Sequence, residues 1–264
     1  MKQRFLFFTC LLLLVNLASF AQQADLSPSV DTAAPVITKV KKPAKNFLKV
    51  NLLNLAIRNY SFQYERALSK RFSAAIGFRI MPKGGIPLLS TIEKSVSIDD
   101  EDVSETLRKV RIKNMAITPE VRFYVGKKGY GRGFYLAPFY RYAVYETGRL
   151  PVEINDEGKT VDLSGKLTTN TFGLQLGAQW MLSRRIFLDW WIIGPQFGTH
   201  KSEFTGSQDT NFTDDEKQDI DAFFEDFSLP NLNLTSKTNN NSITVSTSGP
   251  WAGIRAGLCL GVRF

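Results

Sequence analysis

The sequence is poor in the residues on which metal centres and disulfide-stapled domains are built. Two cysteines and one histidine occur among 264 residues. Cys10 falls in an apolar stretch near the start, which leaves Cys259 alone in the rest of the chain. An intrachain disulfide framework and a cysteine-based metal site are therefore excluded. A single histidine, His200, excludes a multi-histidine metalloenzyme. No cofactor and no metal are expected. Gly129-Tyr130-Gly131-Arg132-Gly133 is rich in glycine, but it lies between two strand-like segments. It reads as a turn and not as a strand-to-helix phosphate cradle. No run of 18 apolar residues follows the first twenty, so no transmembrane helix is expected. Acidic charge is also in deficit, with 25 Asp and Glu against 33 Lys and Arg and a formal net charge of +8. The basic residues gather at turns and at alternate strand positions, so nucleic acid is not an expected partner; negatively charged lipid headgroups are.

What is present begins with a leader. Lys2 and Arg4 precede an apolar run from Phe5 to Val15, and Ser19-Phe20-Ala21 places small residues at −3 and −1 of a cleavage site. Residues 1–21 read as a secretory signal peptide. The apolar core is too short for the ~30 Å of a bilayer. Cys10 lies inside that run and not after a small-residue box, so lipid attachment is not expected. Residues 22–46 carry Pro28, Pro35 and Pro43 with Lys39, Lys41, Lys42 and Lys45. They read as a flexible periplasmic segment.

From residue 47 onward the hydrophobic period is two. Eight segments fit strands: 47–56, 60–67, 72–81, 113–125, 134–145, 168–182, 186–197 and 249–264. Phe72, Ala74, Ile76, Phe78 and Ile80 share one face, opposite Ser73, Ala75, Gly77 and Arg79. Phe172, Leu174, Leu176, Ala178, Trp180 and Leu182 likewise oppose Thr171, Gly173, Gln175, Gly177, Gln179 and Met181. The connections Ser69–Arg71, Gly126–Gly133 and Ser183–Arg185 are short; 82–112, 146–167 and 198–248 are long. Short turns on one rim and long loops on the other are the arrangement of transmembrane barrels. The expected fold is an all-β, eight-stranded antiparallel transmembrane β-barrel over 47–264, with short periplasmic turns and long external loops. Strand aromatics such as Tyr60, Phe62, Tyr64, Tyr124, Tyr135, Tyr145, Trp180, Trp190 and Trp191 are expected to form interfacial girdles.

An eight-stranded barrel is just wide enough for side chains to fill it. By parity, Glu65, Arg79, Glu120, Arg122, Arg141, Asp189, Arg255 and Arg263 point inward. They are expected to form a lumen charge network, since buried charges must be paired. The surplus of arginine leaves open a gated path or site for small anions. At the other end of the chain, Leu258, Leu260, Val262 and Phe264 fall on the apolar face of the last strand. That strand resembles the C-terminal insertion signal of bacterial outer-membrane barrels, a terminal aromatic after alternating hydrophobics. The resemblance implies the barrel-insertion machinery as a partner.

The long loops hold the acidic residues. Asp99, Asp100, Glu101, Asp102 and Glu105 lie in the first, with a short helix expected over Asp99–Arg108. Asp214, Asp215, Glu216, Asp219, Asp221, Glu225 and Asp226 lie in the last. Thr213 with Glu216 fits a helix start, and Ile220, Phe223, Phe224 and Phe227 then share one side. Calcium is disfavoured because neither cluster has the spacing of a calcium loop. Asn239-Asn240-Asn241 reads as a disordered loop tip. His200 and Ser202 are the candidates for catalysis; the pair resembles the His-x-Ser arrangement of outer-membrane lipid A deacylases, with Glu203 or Asp214 to orient the histidine.

Lys49–Leu55, Phe62–Arg66 and Pro119–Tyr124 carry a wider resemblance, covering 47–264, to small eight-stranded outer-membrane barrels of the OmpA/OmpX-like superfamily. They are most similar to a Gram-negative envelope barrel family of unknown function. That resemblance implies location and fold and no catalytic residues; no peptidoglycan-binding domain is expected after the barrel. The expected role is structural or interactive, carried by the external loops, with outer-membrane lipids, lipopolysaccharide and an envelope or extracellular protein as partners. A narrow anion channel, a deacylase and a soluble ligand-binding barrel are the alternatives.

Overall fold

A computed structural model of the chain describes residues 44–90, 107–153, 160–207, 211–214, 217 and 232–264. The expected leader and nearly all of the segment before residue 46 lie outside these residues. So do the acidic cluster at 99–105, most of the helix expected around it, and Ile220, Phe223, Phe224 and Phe227.

The described chain includes nine strands and, between the first two, a short helix: β1 (Asn46–Asn51), α1 (Leu52–Ala56), β2 (Tyr60–Ala67), β3 (Phe72–Gly84), β4 (Ile112–Tyr124), β5 (Gly133–Glu153), β6 (Thr160–Met181), β7 (Ile186–Ser207), β8 (Asn233–Thr238) and β9 (Ser242–Arg263). Strands β1 to β7 pair antiparallel in chain order, β7 pairs with β9, and β9 returns to β1. This closes an antiparallel ring of eight strands. Closure runs from Phe47↔Arg263 to Asn51↔Cys259. Beyond it, Asn46 N donates to Phe264 O at 3.0 Å and Phe264 N donates to Asn46 O at 2.9 Å. No helix among the described residues is long and apolar enough to cross a membrane, which bears only on helices.

The first strand is shorter than the expected 47–56. Asn51 stops it by turning its side chain back to accept from Asn54 N at 3.2 Å, an N-cap that starts α1. The turn has room because Gly257 stands beside it on the neighbouring strand β9. A Cβ there would collide with Asn51 Nδ2.

The hairpin turns at one rim follow from serine and glycine chemistry. Ser69 Oγ accepts from Arg71 N and Phe72 N, and Ser183 Oγ accepts from Arg185 N and Ile186 N, so both tight turns use the same side-chain bond. In the third, Gly129, Tyr130, Gly131 and Gly133 all have positive φ. Gly131 is buried there against Phe47, and its carbonyl accepts from Gln179 Nε2 at 2.9 Å.

At the opposite rim strand extends into two of the expected loops. Segment 146–167 continues the β5–β6 hairpin to Glu153↔Thr160. Segment 198–248 continues β7 to Ser207 and β9 back to Ser242, and adds β8 on the edge of β9 beyond the reach of β1. Asn239–Asn241 is a tight turn and not a loose tip, closed by Asn239 N donating to Ser242 O at 2.7 Å. Close to the expected helix start, Lys217 N donates to Thr213 O at 3.1 Å.

One irregularity resets a face. The β6–β7 register slips between Leu176↔Ile193 and Gly177↔Trp191, so Ile192 is an extra residue in β7. Before it, Phe187, Asp189 and Trp191 are buried; after it, Gly194 and Ser202 are. The inward parity of β7 therefore changes from odd to even at this bulge.

Candidate functional site

The two faces of the ring have opposite chemistry. The outer face carries Phe62, Phe72, Ile76, Ile117, Leu174 and Leu260, all exposed, and reaches 70% exposure at Phe172 and 73% at Ile254. The inner face buries Lys49, Glu65, Glu120, Arg122, Asp189 and Arg255. Strand alternation is the cause: each strand that presents an apolar residue outward must turn its neighbour inward.

The inner side chains form layers. At the rim of tight turns, Phe47, Ala67 and Phe187 pack with Tyr130 and Met181 as an apolar floor. Phe47 and Phe187 meet edge to face, 5.4 Å between centroids. Above it sits an ion-pair layer. Lys49 Nζ lies 2.7 Å from Glu65 Oε2 and 2.6 Å from Asp189 Oδ2. Arg122 reaches Glu65 at 3.1 Å, Asp189 at 2.8 Å and Glu120 at 2.6 Å. Arg255 Nη1 reaches the other Glu120 oxygen at 2.5 Å. Strands β1, β2, β4, β7 and β9, with Gln179 from β6, thus converge on one network.

Neutral donors complete it. Ser73 Oγ and Tyr124 Oη both donate to Glu65 Oε1 at 2.6 Å; Tyr135 Oη and Trp191 Nε1 donate to Asp189 at 2.8 and 3.0 Å. Arg122 also lies over the Tyr135 ring and Arg255 over Trp191, 4.3 and 3.9 Å from the centroids. Lys49, Arg122 and Arg255 face Glu65, Glu120 and Asp189, and the layer is electrically balanced.

The residues expected in the lumen fall into three groups. Glu65, Glu120, Arg122, Asp189 and Arg255 are brought together. Arg79 and Arg141 lie further from the floor, where they line one cavity and Arg79 donates to Tyr145 Oη at 3.4 Å. Arg263 is separate: its Nε donates to Ala44 O at 2.7 Å and its guanidinium lies near Phe47. Lys49 is the network member the sequence reading missed. Its signal was present, since Leu48 and Val50 flank it on the apolar parity. Tyr124, Tyr135, Tyr145 and Trp191 are not girdle residues. They point inward, where their polar groups bond buried charges.

His200 and Ser202 also face inward, past the β7 bulge. They do not bond one another. His200 contacts Pro250 O and Thr247 Oγ1, both at 3.3 Å, and Ser202 Oγ lies 2.6 Å from Thr247 Oγ1. Glu203 stands on the opposite face, and Asp214 pairs with Lys217 at 3.2 Å. Among the described residues no three His, Cys, Asp or Glu side chains converge as a metal site.

Leu258, Leu260, Val262 and Phe264 stand on the outward parity of β9, half-exposed or exposed. The same outward face becomes polar on the strand extensions, where Lys166, Thr168, Lys201, Glu203, Thr235 and Ser246 line a concavity of about 950 Å³.

Residues 32–219 match the sequence profile of DUF3575, described as a protein of unknown function. The chain belongs to the DUF3575 family. The match spans β1 to β7, so in this DUF3575 chain it takes in Lys49, Glu65, Glu120, Arg122 and Asp189, and ends before β8 and β9. No curated protein matches the chain.

Proposed function

We propose that this chain is an integral outer-membrane protein, a small eight-stranded transmembrane β-barrel of the OmpA/OmpX-like kind. A secretory leader exports it, and the barrel-insertion machinery reads its last strand. One observation carries the reading: charge is buried and large hydrophobics are exposed around the whole ring. A soluble monomer rarely exposes an apolar patch beyond a few hundred Å². Lipid hydrocarbon is the solvent for which such a surface costs nothing.

The dimensions agree with that solvent. The outward apolar residues of β9 run from Ala252 to Phe264, about 40 Å of strand at ~3.3 Å per residue. A tilt of about 40° reduces this to roughly 30 Å, against a barrel band of ~25 Å and a hydrocarbon layer of ~30 Å. Phe172 to Leu182 on β6 gives about 25 Å in the same way. Beyond these limits the outer face turns to Ser, Thr, Lys and Glu, suited to water and headgroups.

The role is structural or interactive, carried by the strand extensions and connections at the rim away from the chain ends. Lipopolysaccharide and an envelope or extracellular protein are the partners that fit there. Catalysis is not part of the proposal. An inward His200 and Ser202 joined through Thr247 lack the lipid-facing triad a deacylase needs, and a His200→Ala strain is expected to keep its lipid A profile.

The channel reading draws on Arg79 and Arg141, which have surplus charge. The ion-pair layer and apolar floor lie across the path below them, so planar-bilayer recordings are expected to show no steps. Heat-modifiable gel migration after detergent extraction of the membrane fraction tests the main reading. A protein recovered in the soluble fraction, migrating identically with and without boiling, contradicts it.

A further inference from the structure

Above the balanced ion-pair layer, the interior charge stops balancing. Arg79 and Arg141 have no carboxylate within 4.0 Å among the described residues. Arg79 Nη2 donates to Tyr145 Oη at 3.4 Å, and Arg141 stands four residues before Tyr145 on the same face of β5. Arg79 Nε is buried with no partner at all. Arg141 is only 8% exposed. Arg255, 7% exposed, adds a third guanidinium, and Arg141 lies close enough to both others to be repelled by them.

These three arginines line one cavity of about 120 Å³, with Ser61, Thr118 and Asn54 among its other walls. Buried cations without anions are costly, and like charges converging on one space raise that cost. The volume is that of about four waters. It is well below the ~300–1,000 Å³ of pockets for drug-sized ligands. Guanidinium forks match the paired oxygens of carboxylate and phosphate, and hydroxyl and amide walls supply further donors.

We infer that the cavity between Arg79, Arg141 and Arg255 is a binding site for one small oxyanion group, a phosphate or a short carboxylate. Arg79 and Arg141 supply the uncompensated charge. Arg255, already tied to Glu120, anchors the site to the ion-pair layer. The inference rests on the ring and its interior, not on the membrane reading.

The full-length chain, folded in uncharged detergent micelles, is titrated calorimetrically with sodium phosphate and separately with sodium acetate, against sodium chloride at matched ionic strength. Saturable one-to-one binding of either anion is expected. Phosphate alone assigns a phosphate group, acetate alone a carboxylate, and both a general oxyanion site. Arg79→Gln and Arg141→Gln are each expected to weaken binding at least ~10-fold, the loss of about one charge-assisted bond. Lys113→Gln, which removes an exterior ion pair with Glu146, is expected to leave it unchanged. Should a glutamine variant lack the heat-modifiable folded band, Arg141→Lys replaces it, keeping the charge without the fork and retaining weakened binding. No saturable binding beyond chloride, or binding undiminished by both arginine substitutions, overturns the inference. A folded barrel that binds neither anion loses the site and keeps the membrane reading; a phosphate-binding chain that never enters membranes does the reverse.

Discussion

Lys49→Met is the most informative single change in the interior. Lys49 is fully buried, with ion pairs to Glu65 at 2.7 Å and Asp189 at 2.6 Å and a hydrogen bond to Gln179 at 3.1 Å. Methionine fills similar space, so packing is nearly conserved while one charge disappears. The layer then holds Arg122 and Arg255 against Glu65, Glu120 and Asp189. Removing one partner from a buried pair costs about 3–5 kcal/mol, because the orphaned charge stays out of water. Neutralising Glu65 in the same chain restores the balance. The amide oxygen of a glutamine at that position still accepts from Ser73 and Tyr124, which now bond Glu65 Oε1. The double variant Lys49→Met/Glu65→Gln is therefore expected to be more stable than Lys49→Met alone, with a coupling of about 1–3 kcal/mol. The assay is urea unfolding of the protein folded in phospholipid vesicles, followed by tryptophan fluorescence and by the heat-modifiable band. A single variant within about 1 kcal/mol of wild type, or strictly additive losses, refutes the buried network as described.

Three further outcomes follow from the same geometry. Leu176→Arg, at the middle of the outward apolar run of β6, is expected to cost about 2–4 kcal/mol in vesicles, and Thr168→Arg on the polar extension of the same face about 0–1; equal costs contradict a lipid-facing band. Gly257→Val is expected to destabilise by about 1–3 kcal/mol in urea unfolding through collision with Asn51, with partial recovery when Asn51→Ala is added. Cys259 is buried in the ring, so a water-soluble maleimide is expected to label the folded protein far more slowly than the urea-unfolded one; equal rates place it on the surface.

The ring was legible wherever one strand face is apolar. Phe72–Ile80 and Phe172–Leu182 alternate cleanly, and their outward placement follows. The strand extensions were not read as strand, because their apolar residues are few and large hydrophobics do not line their outward face. In Thr160–Asn170 only Val161, Leu163 and Leu167 alternate with polar residues, and in Ser242–Pro250 only Ile243 and Val245, a weak period among many Ser and Thr. Leu52–Ala56 looked like more strand because its leucines are apolar; the capping asparagine before them was the missed sign. The β7 bulge was invisible, since Trp190, Trp191, Ile192 and Ile193 form an apolar run without a period. In the interior, parity located Glu65, Glu120, Asp189 and the arginines that meet them but passed over Lys49, whose flexible side chain is ordinarily solvated.

The central claim is that hydrophobics face lipid and charge faces inward, and the tryptophans test it most directly. Trp180 and Trp190 point outward at 38% and 41% exposure; Trp191, adjacent in sequence, is 4% exposed and bonded to Asp189. Single-tryptophan variants are folded into vesicles of brominated phospholipid, whose acyl-chain bromines quench fluorescence on contact. Strong quenching of the Trp180-only and Trp190-only proteins, with the Trp191-only protein nearly unquenched, is the predicted result. Quenching of Trp191 equal to that of Trp190, or no quenching of Trp180 and Trp190, contradicts it.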